Sequence, residues 1–152
     1  MALAGGADSG NQSRIPAVSR LCIDQVNAQV LDRELDRIEA LWSDGLSEAY
    51  SSYLAGVGHY RPDDRPRVAL AAALVEVAVR LHGLGGPAAP PTTLLIGDLC
   101  LARASRLLAV SAPTRVQVAF AAAIEAMAAA AASKQAPPSS RELLLKALEG
   151  RQ

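Results

Sequence analysis

Few residues in this chain are of a type that does chemistry, and their spacing decides what they can do. Asp63 and Asp64 are adjacent carboxylates, the pairing from which Mg²⁺ sites are built. They lie in a Pro-flanked loop and are followed by Arg65-Pro66-Arg67. A metal held between protein and phosphates needs carboxylates converging from one face, and none follows here. The pair reads as a helix start, with Asp64 near the N-terminus and Pro66 in the first turn. His59 is too isolated to pair with His82, and His82 closes an apolar helix, where the dipole favours a histidine. Cys22 and Cys100 have no ligand or redox spacing and read as reduced, buried thiols of a cytoplasmic protein. Asp98 is polar in an apolar stretch and needs a partner. Gly97 beside it costs about 1 kcal/mol relative to alanine in a helix, which points to a close approach by a neighbour. No acid–base pair, nucleophile–base arrangement, phosphate loop or metal cluster stands at useful spacing, and this weighs against an independent enzyme.

The elements that position these residues are helical. Hydrophobic residues make up 51% of 152 and aromatics 3%, so the core is built from Ala, Leu and Val, which favours closely packed helices. Fifteen basic and fifteen acidic residues give a net charge of zero and no footprint for nucleic acid or an anionic membrane. Residues 1–15 read as a disordered, small and polar tail without a signal peptide, and 16–152 as one helical domain, an antiparallel bundle. An amphipathic helix is expected from Val18 to Ser43, broken by Ser43-Asp44-Gly45. A second runs from Ser47 to Val57 with Tyr50, Tyr53 and Leu54 on one side, and a third from Arg67 to His82. A fourth, Thr93-capped and apolar nearly all round, spans Leu94–Ala109 and is expected to be buried on several sides. Ser111-Ala112-Pro113 punctuates and caps a fifth, Thr114–Lys134. The run Val116–Ala132, mostly alanine with Gln117 and Glu125, reads as too weakly apolar to span a bilayer. Ser139 and Glu142 form a capping box for a last helix ending before Gly150.

The stretch Leu94-Leu95-Ile96-Gly97-Asp98-Leu99-Cys100-Leu101-Ala102-Arg103-Ala104-Ser105-Arg106-Leu107-Leu108-Ala109 resembles the Gly-Asp helix of the trans-polyprenyl diphosphate synthases, of the form L-A-G-D-x-L-L-A-R-A-x-x-L-L-A. A second resemblance lies at Tyr53-Leu54 and Gly58-His59-Tyr60-Arg61-Pro62, similar to the family's Y-L-x-x-G-G-K-R-x-R-P, whose cations hold a diphosphate. Here His59 replaces the lysine and one residue is missing, so His59 and Arg61 read as a vestigial diphosphate loop, or a structural turn. The helix ending in Leu81-His82 is similar to the synthase helix ending in L-x-H-D-D-x-x-D, but Gly83-Leu84-Gly85-Gly86-Pro87 follows in place of the aspartates. Those carboxylates hold the Mg²⁺ that ionises an allylic diphosphate.

The resemblance implies a truncated isoprenoid synthase fold. It also implies a non-catalytic small subunit of a two-component, long-chain polyprenyl diphosphate synthase, which supports activity and sets product length. The implied partner is a catalytic large subunit carrying the Mg²⁺, with no cofactor in this chain. The interface is expected at Leu94, Leu95, Asp98, Leu99, Leu101, Ala102, Leu108, Phe120, Ile124 and Met127. Leu99, Cys100, Arg103 and Leu107 are the expected tunnel-lining residues. The alternative is an α-helical homodimeric scaffold with no part in prenyl transfer.

Overall fold

In a computed structural model the chain divides into two units, Met1–Arg37 and Ile38–Gln152. The residues described are 40–84, 87, 89–136 and 138–150, all in the second unit. The tail at 1–15, the domain start at 16, Cys22 and nearly all of the 18–43 helix lie outside them.

The described residues form five α-helices and no strand: α1 (Ser47–Gly56), α2 (Arg65–Leu81), α3 (Pro91–Ser111), α4 (Thr114–Ala132) and α5 (Ser140–Leu148). The expected break before α1 is a π-type turn at Trp42–Leu46, where Gly45 adopts φ 101°. A side chain at Gly45 would be strained by that φ and would crowd the Arg80 guanidinium at 3.2 Å.

The helix enclosed on several sides is α2, not α3. Val68, Ala69, Ala71, Ala72, Ala73, Leu74, Val75, Val77 and Ala78 are all buried, and α1, α3 and α5 pack around them. Its small side chains let the neighbouring axes come within about 8–10 Å. α3 buries only Gly97, Cys100, Ala104, Leu108 and Ser111, and leaves Leu95 64% and Val110 71% exposed. The count of apolar residues on α3 overstated its burial because many are alanines and leucines on an outward stripe.

The helix ends correct several local expectations. α3 starts two residues before Thr93, with Pro90 as N-cap and Pro91 pre-set at the first helical position. Asp64 is the N-cap of α2, but its carboxylate makes no cap hydrogen bond and instead faces Arg67 at 3.7 Å. Ser111 does not cap α4: Pro113 is the N-cap, and the Ser111 hydroxyl is buried without a partner. The expected capping box holds in part, since the Ser139 hydroxyl accepts from the Glu142 N–H at 3.3 Å. Leu54 turns outward, and the buried stripe of the first helical segment is Leu46, Ala49, Tyr53 and Val57.

α4 is 19 residues long with a mean hydropathy of 1.3, long and apolar enough to cross a membrane by length and composition, contrary to expectation. Ten of those residues are alanine, which a hydropathy index counts as apolar although its side chain is small. In the bundle α4 buries Val116, Ala119, Phe120, Ala123 and Met127, and Glu125 is exposed.

Candidate functional site

Gly97 and Asp98 serve one neighbour. A Cβ on Gly97 would stand 2.9 Å from Cε1 and 3.0 Å from Nε2 of His82, so the absent side chain makes room for that ring. His82 Nε2 lies 3.0 Å from Asp98 Oδ1. A carboxylate only accepts, so Nε2–H is the donor. The ring thus lies across the backbone of α3 and is tied to the next residue. The close approach expected at Gly97 is found in this contact between the C-terminus of α2 and the second turn of α3, and Asp98 has a partner there although its side chain is 68% exposed.

About two-thirds of the way along α2, a second polar cluster is one that the sequence did not reveal. The Tyr53 hydroxyl of α1 donates to Glu76 Oε2 at 2.5 Å, while Arg141 of α5 donates through Nη2 to Oε1 at 2.8 Å and through Nε to Oε2 at 3.3 Å. Burial pushes the Glu76 carboxyl upward. Hydrogen bonds from Arg141 and Tyr53, with the charges of Arg141 and Arg80, outweigh it and hold Glu76 below its usual 4.5. Burial foremost, and then the Glu76 carboxylate, raise the Tyr53 phenol far above its ordinary value, so it stays protonated. The one signal in the sequence was a lone carboxylate inside the apolar run of α2, which must find a partner. That partner, Arg141, is 65 residues away.

A third arrangement gathers the α1–α2 loop, the α3–α4 junction and the end of α5. His59, Tyr60, Arg61, Asp64, Ser111, Pro113, Arg115 and Leu148 line a cleft of about 220 Å³. The Leu148 carbonyl accepts from the Tyr60 hydroxyl at 2.6 Å and from His59 Nε2 at 3.3 Å. Burial pushes the Tyr60 phenol up, with the Arg115 charge opposing it. The vestigial-loop residues His59 and Arg61 therefore do share a cleft. At 1.5 Å per residue, however, the 17 residues of α2 separate it from His82 by about 25 Å. The two regions cannot hold one small substrate between them.

The expected interface residues divide by burial. Leu95, Asp98 and Ala102 are exposed, whereas Leu94, Leu99, Leu101 and Ile124 are half-buried. Leu108, Phe120 and Met127 are 5%, 2% and 1% exposed, inside the chain's own core, and offer nothing to a partner. They are corrected because a large apolar side chain contributes most when the bundle's own core encloses it. The outward stripe of α3 is Pro91, Leu95, Asp98, Ala102, Ser105 and Ala109; that of α4 is Thr114, Val118, Ala121, Glu125, Ala128 and Ala132. Both step by four, three, four, three and four, the spacing of a seam between long helices. Between α3 and α4 a groove of about 240 Å³ is lined by residues that include Ala104, Ser105, Leu108, Phe120 and Ile124. The tunnel candidates Leu99, Cys100, Arg103 and Leu107 do not line it; Cys100 is buried as a free thiol, pushed up by burial.

Among the described residues no group of three or more His, Cys, Asp or Glu side chains is placed to hold a metal ion. Comparison with family models, with curated proteins and with solved structures finds no match to this chain.

Proposed function

We propose that this protein is a non-catalytic helical subunit that pairs with the catalytic chain of a trans-polyprenyl diphosphate synthase, supporting its activity and the length of its product. The observation that carries the reading is the pair of exposed seams on α3 and α4, the first of them on the stretch that resembles the synthase Gly-Asp helix. An apolar, small-residue surface of this kind favours helix-on-helix association. Asp98 supports the reading from the other side: its carboxylate is engaged by His82, an arrangement that suits helix packing. In this reading the Mg²⁺ and the ionisation of the allylic diphosphate belong to the partner.

The test combines this chain, a catalytic chain from the same organism bearing both aspartate-rich motifs, and their mixture with labelled isopentenyl and farnesyl diphosphates. Activity, or lengthened product, in the mixture alone is the expected result. An unchanged product at an unchanged rate, with no co-elution of the two chains, returns the protein to the homodimeric scaffold reading.

A further inference from the structure

Among the described residues Lys134, in the junction between α4 and α5, is the one non-glycine with a positive φ, at 54°. It occupies the place that glycine usually takes in a helix-ending motif. The Gln135 N–H donates to the Ala130 carbonyl at 3.0 Å and the Lys134 N–H to the Ala131 carbonyl at 3.2 Å. Glycine enters that left-handed backbone freely, whereas a residue with a Cβ is strained by it. The local sequence favours a different course. Ten of the 19 residues of α4 are alanine, and the exposed Ser133-Lys134-Gln135-Ala136 that follow are able to continue the helix up to the stop at Pro137. α5, beyond this junction, packs on α1, α2 and α4 but buries only Leu144, Ala147 and Leu148. Its polar ties run from Arg141 to Glu76 at 2.8 Å and from the Tyr60 hydroxyl to the Leu148 carbonyl at 2.6 Å. The groove of about 330 Å³ between α4 and α5 is lined mostly by alanines, so few large side chains fasten one helix to the other.

From this strained turn in a helix-forming stretch we infer that α5 exchanges between two copies of this chain. In the exchanged dimer α4 runs on through Lys134, and the chain leaves α4 along its axis instead of folding back on it. Each α5 then seats on α1, α2 and α4 of the other copy. Every contact it makes in the closed chain is remade there by the same residues, the Arg141–Glu76 and Tyr60–Leu148 ties included. Two left-handed turns are released and four residues at each hinge gain helical hydrogen bonds, against the cost of bringing two chains together. The balance therefore depends on concentration. The ties that are exchanged involve no residue of the outward seams of α3 and α4, so this association does not depend on the chain's pairing with a synthase.

The test is the full chain refolded from urea over a range of concentrations and sized by light scattering. A monomer and a slowly interconverting dimer are expected, the dimer gaining as concentration rises. K134G accepts the left-handed turn and is a poor helix residue, so it lowers the dimer association constant more than about tenfold. K134I, β-branched and least tolerant of a positive φ, raises it severalfold. A second measurement identifies what is exchanged. E76R and R141E each set like charges together in a closed chain. Co-refolded with one of them tagged, they are expected to form a mixed dimer in preference to either dimer alone, because exchange restores the parent pair at one site and a reversed pair at the other. A dimer built on the outward seams shows no such preference and ignores residue 134. A chain that stays monomeric at every concentration overturns the exchange. So does a dimer that K134G and K134I leave unchanged, or one in which E76R and R141E assort at random. The K134G and K134I chains keep the Glu76 tie intact, so their result stands even if E76R or R141E fails to fold by itself.

Discussion

Gly97 is where one hydrogen atom in place of a methyl group decides a helix contact. In isolation Gly97→Ala favours the helix by about 1 kcal/mol. With His82 present the new Cβ meets the ring at 2.9–3.2 Å and drives it off Asp98, so the parent background is expected to lose about 1 kcal/mol. In the H82A background the same change is expected to gain about 1 kcal/mol. Urea unfolding of the four proteins reads the cycle, and equal stabilisation in both backgrounds would show that the ring does not depend on the glycine. Glu76 carries a pH signature. Its folded carboxyl lies below the unfolded value of 4.5, so the stabilisation it contributes is complete above that value and is lost as pH falls through the folded one. E76Q should lower stability by about 2 kcal/mol at neutral pH and shrink the difference from the parent toward pH 3, measured by denaturant midpoints across that range. A constant difference at every pH would mean that packing alone is disturbed.

At the scale of elements, α2 and α3 show what an apolar count leaves out. Both are rich in Ala and Leu, yet α2 is enclosed by three helices while α3 keeps the outward seam of Leu95, Asp98, Ala102, Ser105 and Ala109. The same 3.5-residue step on α4 through Val118, Ala121, Glu125 and Ala128 makes the two helices alike in what they offer. Ala102→Glu and Ala121→Glu place charges on these seams without entering the core. Each is expected to leave the unfolding midpoint within about 0.5 kcal/mol of the parent, and the pair to abolish co-elution with the catalytic chain. Co-elution that survives the double substitution would move the interface away from α3 and α4.

Taken as a whole, the described unit is organised along the length of α2. At its C-terminal end His82 locks onto α3; about two-thirds of the way along, Glu76 joins α1 to α5; at its N-terminal end the cleft around Tyr60 gathers two loops and the last turn of α5. At all three levels the hydrogen bonds tie together elements far apart in the chain. The His82 tie ends on Asp98 of the α3 seam, while the other two lie away from both seams.

Much of this was written in local chemistry. Helix type, five of the helix positions, the break at Asp44–Gly45 and the need for a neighbour at Gly97 all follow from periodicity and propensity, which are properties of near neighbours in the chain, whereas Asp98 has its partner although it is exposed. The likeness of residues 94–109 to a synthase helix is of the same local kind. What only the tertiary structure decided depends on groups far apart in sequence: that Arg141 answers Glu76, that Ser111 is enclosed rather than capping, and that Phe120, Met127 and Leu108 face inward while alanines face out. Periodicity says that a helix has two faces, and packing against α2 chooses which one is covered.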